Sequence, residues 1–231
     1  MNLNLSTRSL CAIVASAAGL AAPALASITV STLPGGDAEF NTLTTNGTLE
    51  RAVAEGRIGN NNASNGTWER GLWEFGGLGS PVNTGGTTWT SGAAVPFSFS
   101  YDGASTVSFI LGGDSLTWNN LAGSFTDIFI RTRNARNDTT ISLTNLALTG
   151  FGALGSDINS TTANEIDYLR VVNSGPFAAF TLSGNATLSW TGSAPNNSAQ
   201  AFQVKFSNSI PAPTAAGVLA LAGLTAGRRR R

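Results

Sequence analysis

Histidine is missing from this chain of 231 residues, and cysteine, methionine and lysine occur once each, as Cys11, Met1 and Lys205. Each gap closes a class of chemistry. Ser-His-Asp and Cys-His nucleophilic arrangements, and every zinc site built on imidazole, need a side chain that is not available. A single cysteine cannot form a bridge within the chain, so the fold must be held by its core alone. Charged residues make up only 11% of the sequence. Neutralising the phosphates of a nucleic acid takes a clustered basic face. The one basic cluster in the body, Arg131, Arg133 and Arg136, reads as the solvated end of a strand. No cofactor, no metal centre and no nucleic-acid partner is expected.

What the chain does have, at both ends, is a short apolar run. Met1 to Ala26 reads as a secretory signal, with Arg8 in the positive n-region and Leu10 to Leu20 as the apolar h-region. Ala24-Leu25-Ala26 offers an A-x-A site, so cleavage is placed by Ala24 and Ala26 before Ser27. Pro23 ends a helix ahead of that cut. Cys11 sits at the start of the apolar run and not at the cut, which argues against lipidation.

The other end runs Ile-Pro-Ala-Pro from Ile210, then a small-residue apolar segment from Thr214 to Gly227, then Arg228, Arg229, Arg230 and Arg231. At about 1.5 Å per residue that segment makes a helix of about 21 Å, short of the roughly 30 Å hydrocarbon core. Four terminal arginines resist translocation and hold the end on the cytoplasmic side. This tripartite tail closely resembles the PEP-CTERM sorting signal of bacterial exported proteins, which exosortase-type membrane transpeptidases recognise and cut. The family's Pro-Glu-Pro reads Pro211-Ala212-Pro213 here. The resemblance implies a sorting role for Pro211, Ala212, Pro213 and the four arginines. It also implies the Sec translocon and an exosortase-type transpeptidase as partners, transient membrane association through the tail, and a final place at or beyond the cell surface.

Without its two ends the chain changes character. Residues 27–210 keep eight basic and all thirteen acidic residues, a net charge of −5. About 184 residues suit one domain, and the composition is rich in Ser, Thr, Asn and Gly, as all-β domains often are. Phe97, Phe99 and Tyr101 alternate with Ser98 and Ser100, Asp102-Gly103 turns the chain, and Val107, Phe109 and Leu111 repeat the alternation, which predicts a hairpin. Ser115 to Trp118 continues it. Ile128-Phe129-Ile130 predicts a central strand. Ile141 and Leu143 have the opposite parity to Leu146 and Leu148, which predicts a bulge near Asn145. Two strands, around Ala178 to Leu182 and Ala186 to Trp190, are expected on either side of a tight turn at Gly184-Asn185, and Phe202 to Phe206 forms another. The region 27–87 is less regular, with a first strand at Ile28 to Leu33, a short helix over 48–56 started by Thr48, and an exposed loop at Asn60 to Gly66. The expected architecture is a two-layer antiparallel β-sandwich, jelly-roll-like, flanked by the signal helix and the sorting helix.

The stretch from Thr88 to Phe206 is also similar to a family of bacterial exported domains known as choice-of-anchor W. Trp89-Thr90-Ser91-Gly92, Pro96 to Asp102, Asp127 to Arg131, Leu143 to Leu146, Asp167 to Arg170 and Ala201 to Lys205 carry that likeness. It covers a little over half the chain and implies no defined activity.

Four constellations bear on function. Gly150-Phe151-Gly152-Ala153-Leu154-Gly155 spells G-x-G-x-x-G, but a dinucleotide fingerprint opens a helix, and here the chain runs into Ser156 to Ser160, a loop. Glu69 and Glu74, among Trp68 and Trp73, are the best local carboxylate pair for glycoside hydrolysis. Five residues apart, they face opposite sides of a strand, so surface ion pairing is the better reading. Trp68, and Trp118 with Asn119 and Asn120, are candidate glycan contacts, since sugar C–H faces stack on rings while amides take hydroxyls. The plainer reading is that the tryptophans fill the core, as Trp190 is expected to. Asp102, Asp114 and Asp157 lie in Gly-rich turns with no EF-hand or repeat spacing for calcium. The expectation is therefore a non-catalytic surface or matrix protein, adhesive or structural, in envelope, biofilm or extracellular polysaccharide. A carbohydrate-binding module is the first alternative and a glycoside hydrolase or lyase the second.

Overall fold

Fourteen strands, all paired antiparallel, divide into two sheets in a computed structural model that describes residues 27–62, 68–74 and 80–209. Ala24, Ala26, Asn65-Gly66, Pro211 to Pro213 and Arg228 to Arg231 lie outside the described residues. The first sheet runs in the order β1 (Ile28–Thr32), β12 (Glu165–Asn173), β8 (Asp127–Asn134), β14 (Gln200–Ser207), β2 (Glu50–Arg57), β3 (Arg70–Glu74) and β4 (Asn83–Gly85). The second runs β10 (Gly152–Ala153), β9 (Thr139–Leu148), β13 (Phe180–Trp190), β5 (Ala94–Tyr101), β6 (Val107–Leu111) and β7 (Asp114–Trp118), with β11 (Ile158–Ser160) also on the β9 edge. Among the described residues no helix is long and apolar enough to cross a membrane.

Period-2 alternation decides what lies between the sheets. Phe202, Val204 and Phe206 of β14 point at Phe97, Phe99 and Tyr101 of β5, all of them buried. Phe206 stacks on Phe99 and on Phe125, each at 4.3 Å between ring centroids. A second, smaller cluster lies on the far side of the first sheet. There α1 (Gly36–Thr44) sets Phe40 edge-on to Phe129 and stacked on Tyr168, with Leu33 beside them. The Glu39 carboxylate accepts the Gly35 N–H at the start of this helix. Thr45, in the left-handed region at φ 52°, ends it.

The hairpin β5–β6, its continuation in β7 and the central position of β8 agree with the sequence. So does the bulge. Asn145 has φ 54°, and the β9–β13 register shifts opposite it, between Ser183 and Asn185. Two expectations are corrected. Residues 48–56 are not a helix, because Glu50–Arg57 is β2, held between β14 and β3. Its helix-forming letters yield to burial on both faces: Ala52, Val53 and Ala54 are fully buried. Nor does the chain turn at Gly184-Asn185, where β13 runs straight through for eleven residues. Phe180, Leu182, Gly184, Ala186 and Leu188 keep one parity, and Gly184 is needed for close approach. A Cβ there would lie 2.8 Å from Leu146 Cδ2 and 3.0 Å from the Phe97 ring.

The two outward faces differ. That of the second sheet is uncharged and rich in hydroxyls, with Thr117, Ser108, Ser100 and Thr181 aligned across four strands. The strands of the first sheet hold most of the domain's charged residues, with Glu55, Arg131, Arg133, Arg170 and Lys205 on its outward side.

Candidate functional site

Strand register assembles the polar centre of the first sheet's outer face. Glu55 of β2 stands opposite Gln203 of β14, which stands opposite Arg131 of β8, which stands opposite Tyr168 of β12. The next row reads Arg57, Ala201, Arg133 and Ile166. The small side chain of Ala201, between two arginines, leaves a depression. Glu55, Gln203 and Arg131 of the first row and Ala201, Arg133 and Ile166 of the second, with Asp37, Asn164 and Ser198, line a cavity of about 490 Å³.

The charges in and beside it are ordered individually. Arg131 donates from Nε and Nη2 to the two oxygens of Asp37, each at 2.9 Å, and the Tyr168 hydroxyl donates to the same carboxylate at 2.8 Å. Burial alone would raise the Asp37 pKa, but the Arg131 bonds and charge and the Tyr168 hydroxyl bring it below its usual value. Burial raises Tyr168. Arg57 donates to the Trp68 carbonyl at 3.0 Å and to Ser198 Oγ at 2.8 Å, and its guanidinium lies 3.2 Å from the centre of the Trp68 ring. Glu55 accepts a hydrogen bond from the Gln203 amide, and burial pushes its carboxyl above the ordinary range despite the arginines nearby.

That last shift gives a pH dependence with a definite sign. Above the ordinary glutamate value the unfolded chain gives up a proton that folded Glu55 still holds, so its contribution to stability falls as pH rises through the raised value. Glu55→Gln is expected to remove this loss. Urea midpoints of the two proteins between pH 4 and pH 8 test it, and parallel profiles would show that Glu55 titrates normally.

The residues singled out by sequence do not converge. Trp68 stands over Gly71, whose outward side a Cβ would fill to within 2.9 Å of the Trp73 ring, and the two indoles meet edge to face at 4.8 Å. Arg57 covers one face of Trp68, so that ring is engaged within the domain. Trp118, opposite Val107, packs against the inter-sheet core, with Asn119 and Asn120 exposed beside it on the second sheet. Trp190 is partly buried against the same core, as expected. Glu69 is fully buried and accepts backbone N–H groups of Gly59 and Asn60 at 2.7 and 2.8 Å, shaping the turn after β2. Arg70, its neighbour, pairs with Asp114 at 2.9 Å. Asp102 accepts three backbone N–H groups of residues 104–106, which lowers its pKa to about 2. The loop reading of Gly150 to Ser160 gives way to the short edge strands β10 and β11.

The arginine cluster is also corrected. Only Arg136 is solvated, in an exposed pair with Asp138, whereas Arg131 is held in the cleft by Asp37. Asp37, Glu55 and Gln203 were not legible as site residues. The one local signal was the polar alternation of Gln203 and Lys205 with Phe202, Val204 and Phe206, which marks an outward polar face. Comparison with protein-family models and with curated proteins finds no match.

Proposed function

We propose that this is an exported bacterial surface or extracellular-matrix protein, processed by an exosortase-type system, whose jelly-roll-like domain has an adhesive or structural role and no catalytic one. The sorting reading comes from the tail, Pro211-Ala212-Pro213 with its apolar segment and four arginines. The jelly-roll reading is supported by β8, β9, β12, β13 and β14, in which the chain passes back and forth between the sheets.

The observation that carries the non-catalytic role is how the carboxylates are used. Glu69 and Asp102 bind backbone N–H groups. Glu50 pairs with Lys205, Asp127 with Arg170, Asp114 with Arg70 and Asp37 with Arg131. Acids spent on holding turns and strands are not poised as a hydrolytic pair. Deleting residues 211–231 is expected to abolish normal sorting, so that the protein no longer partitions between envelope and medium as the full chain does. Unchanged fractionation would sink the reading.

A second reading, a carbohydrate-binding module, is favoured by the cleft over Ala201. It combines amide and guanidinium donors with a carboxyl group in a space within the usual range for ligand pockets.

A further inference from the structure

Of the three arginines in these two rows, two are committed. Arg57 serves Trp68 and Ser198, and Arg131 serves Asp37. Arg133 is different. It is half-buried, on the outward side of β8 and beside the depression over Ala201, and among the described residues its side chain has no hydrogen-bond or ion-pair partner. Glu55, the acid across the cleft, is already engaged by Gln203. A guanidinium at a cavity wall keeps a planar fork of donors that suits a carboxylate. Around it, Gln203 and Asn164 offer amides that suit hydroxyls.

We propose that this cleft binds a carboxylated sugar unit of an acidic extracellular polysaccharide, with Arg133 taking the carboxylate and Gln203 and Asn164 taking hydroxyls. This rests on the reading of the protein as an exported matrix component and names its ligand class. Densely charged polyanions fit less well. Asp37 and Glu55 share the cleft, and the body carries a net charge of −5, so a ligand with one anionic group per sugar and many hydroxyls meets the least repulsion.

The test is affinity electrophoresis of the purified full chain through gels containing a polyuronate (alginate), neutral dextran or dextran sulfate. The polyuronate is expected to retard the protein, more at low salt than at high, and dextran is not. Arg133→Gln is expected to lower affinity for the polyuronate by about tenfold to a hundredfold, the effect of losing a charge-assisted contact. Arg133→Lys should keep part of that affinity. Arg136→Gln, in the exposed pair with Asp138, should behave as the unmodified chain. Thermal melts establish that each variant is folded. Equal retardation by polyuronate and dextran, stronger retardation by dextran sulfate, or no loss in folded Arg133→Gln would overturn the proposal. The matrix reading fails separately: a chain that binds polyuronate but is never exported refutes that reading and leaves the cleft assignment standing.

Discussion

Phe206→Ala is expected to lower the unfolding free energy by about 3–5 kcal/mol, the range for truncating a buried phenylalanine. Phe206 is fully buried, and besides its stacks on Phe99 and Phe125 it lies 5.3 Å from Phe180. It belongs to the first sheet, Phe99 and Phe180 to the second, and Phe125 to the segment before β8, so one side chain ties three parts of the sandwich. No disulfide shares the task. With total stabilities of domains near 5–15 kcal/mol, a loss of this size leaves the variant close to unfolding at 37 °C. Urea denaturation measures it: the midpoint should fall while the slope stays unchanged. Ile110→Ala, on the exposed side of β6, is the control and should shift stability by about 0.5 kcal/mol or less. A Phe206→Ala loss under about 1 kcal/mol would mean that the two sheets do not close on this ring.

How far the sequence reveals this architecture depends on whether a segment's neighbours are local. The hairpin of β5 and β6 is legible because its strands alternate and its turn is spelled Asp102-Gly103. The bulge at Asn145 is legible because parity breaks there within one strand. In β2 the Glu-Arg-Ala-Val-Ala-Glu letters describe a good helix, and pairing on both sides, with β3 and with β14 about 150 residues away in sequence, makes it a strand. Gly184-Asn185 carries turn chemistry, yet the glycine answers to Leu146 and Phe97 on the two strands that flank it, β9 and β5. The cleft was hidden for the same reason. Arg131 meets Asp37 across 94 residues, and no periodicity in either segment announces the other. The arginines looked solvated because alternation shows only that they point outward. It does not show that α1 lies over that face.

Lys205→Ala is expected to cost about 3–5 kcal/mol, since it removes one partner of a buried ion pair and strands the other. Lys205 is the only lysine in the chain, yet 92% of it is buried, and its Nζ lies 2.8 Å from Glu50 Oε1. Glu50 is 1% exposed, and its second oxygen has no hydrogen-bond partner among the described residues, so without the ammonium its charge has little to compensate it. The combined change Lys205→Met and Glu50→Gln removes both charges at similar volume and is expected to recover most of the loss. A double-mutant cycle in urea reads both outcomes, and a single-variant cost below about 1 kcal/mol would place the pair with solvated ones. The pair also lies beside the helix that gives the cleft Asp37. Lys205 Nζ sits 4.6 Å from the centre of the Phe40 ring on α1, and the same helix supplies Asp37 to Arg131. Loosening α1 from the sheet would take Asp37 from Arg131 and leave a second guanidinium in the cleft open to an anionic ligand. Folded Lys205→Ala protein should therefore show stronger polyuronate retention as well as lower stability, whereas Phe206→Ala, still folded at low temperature, should change stability alone.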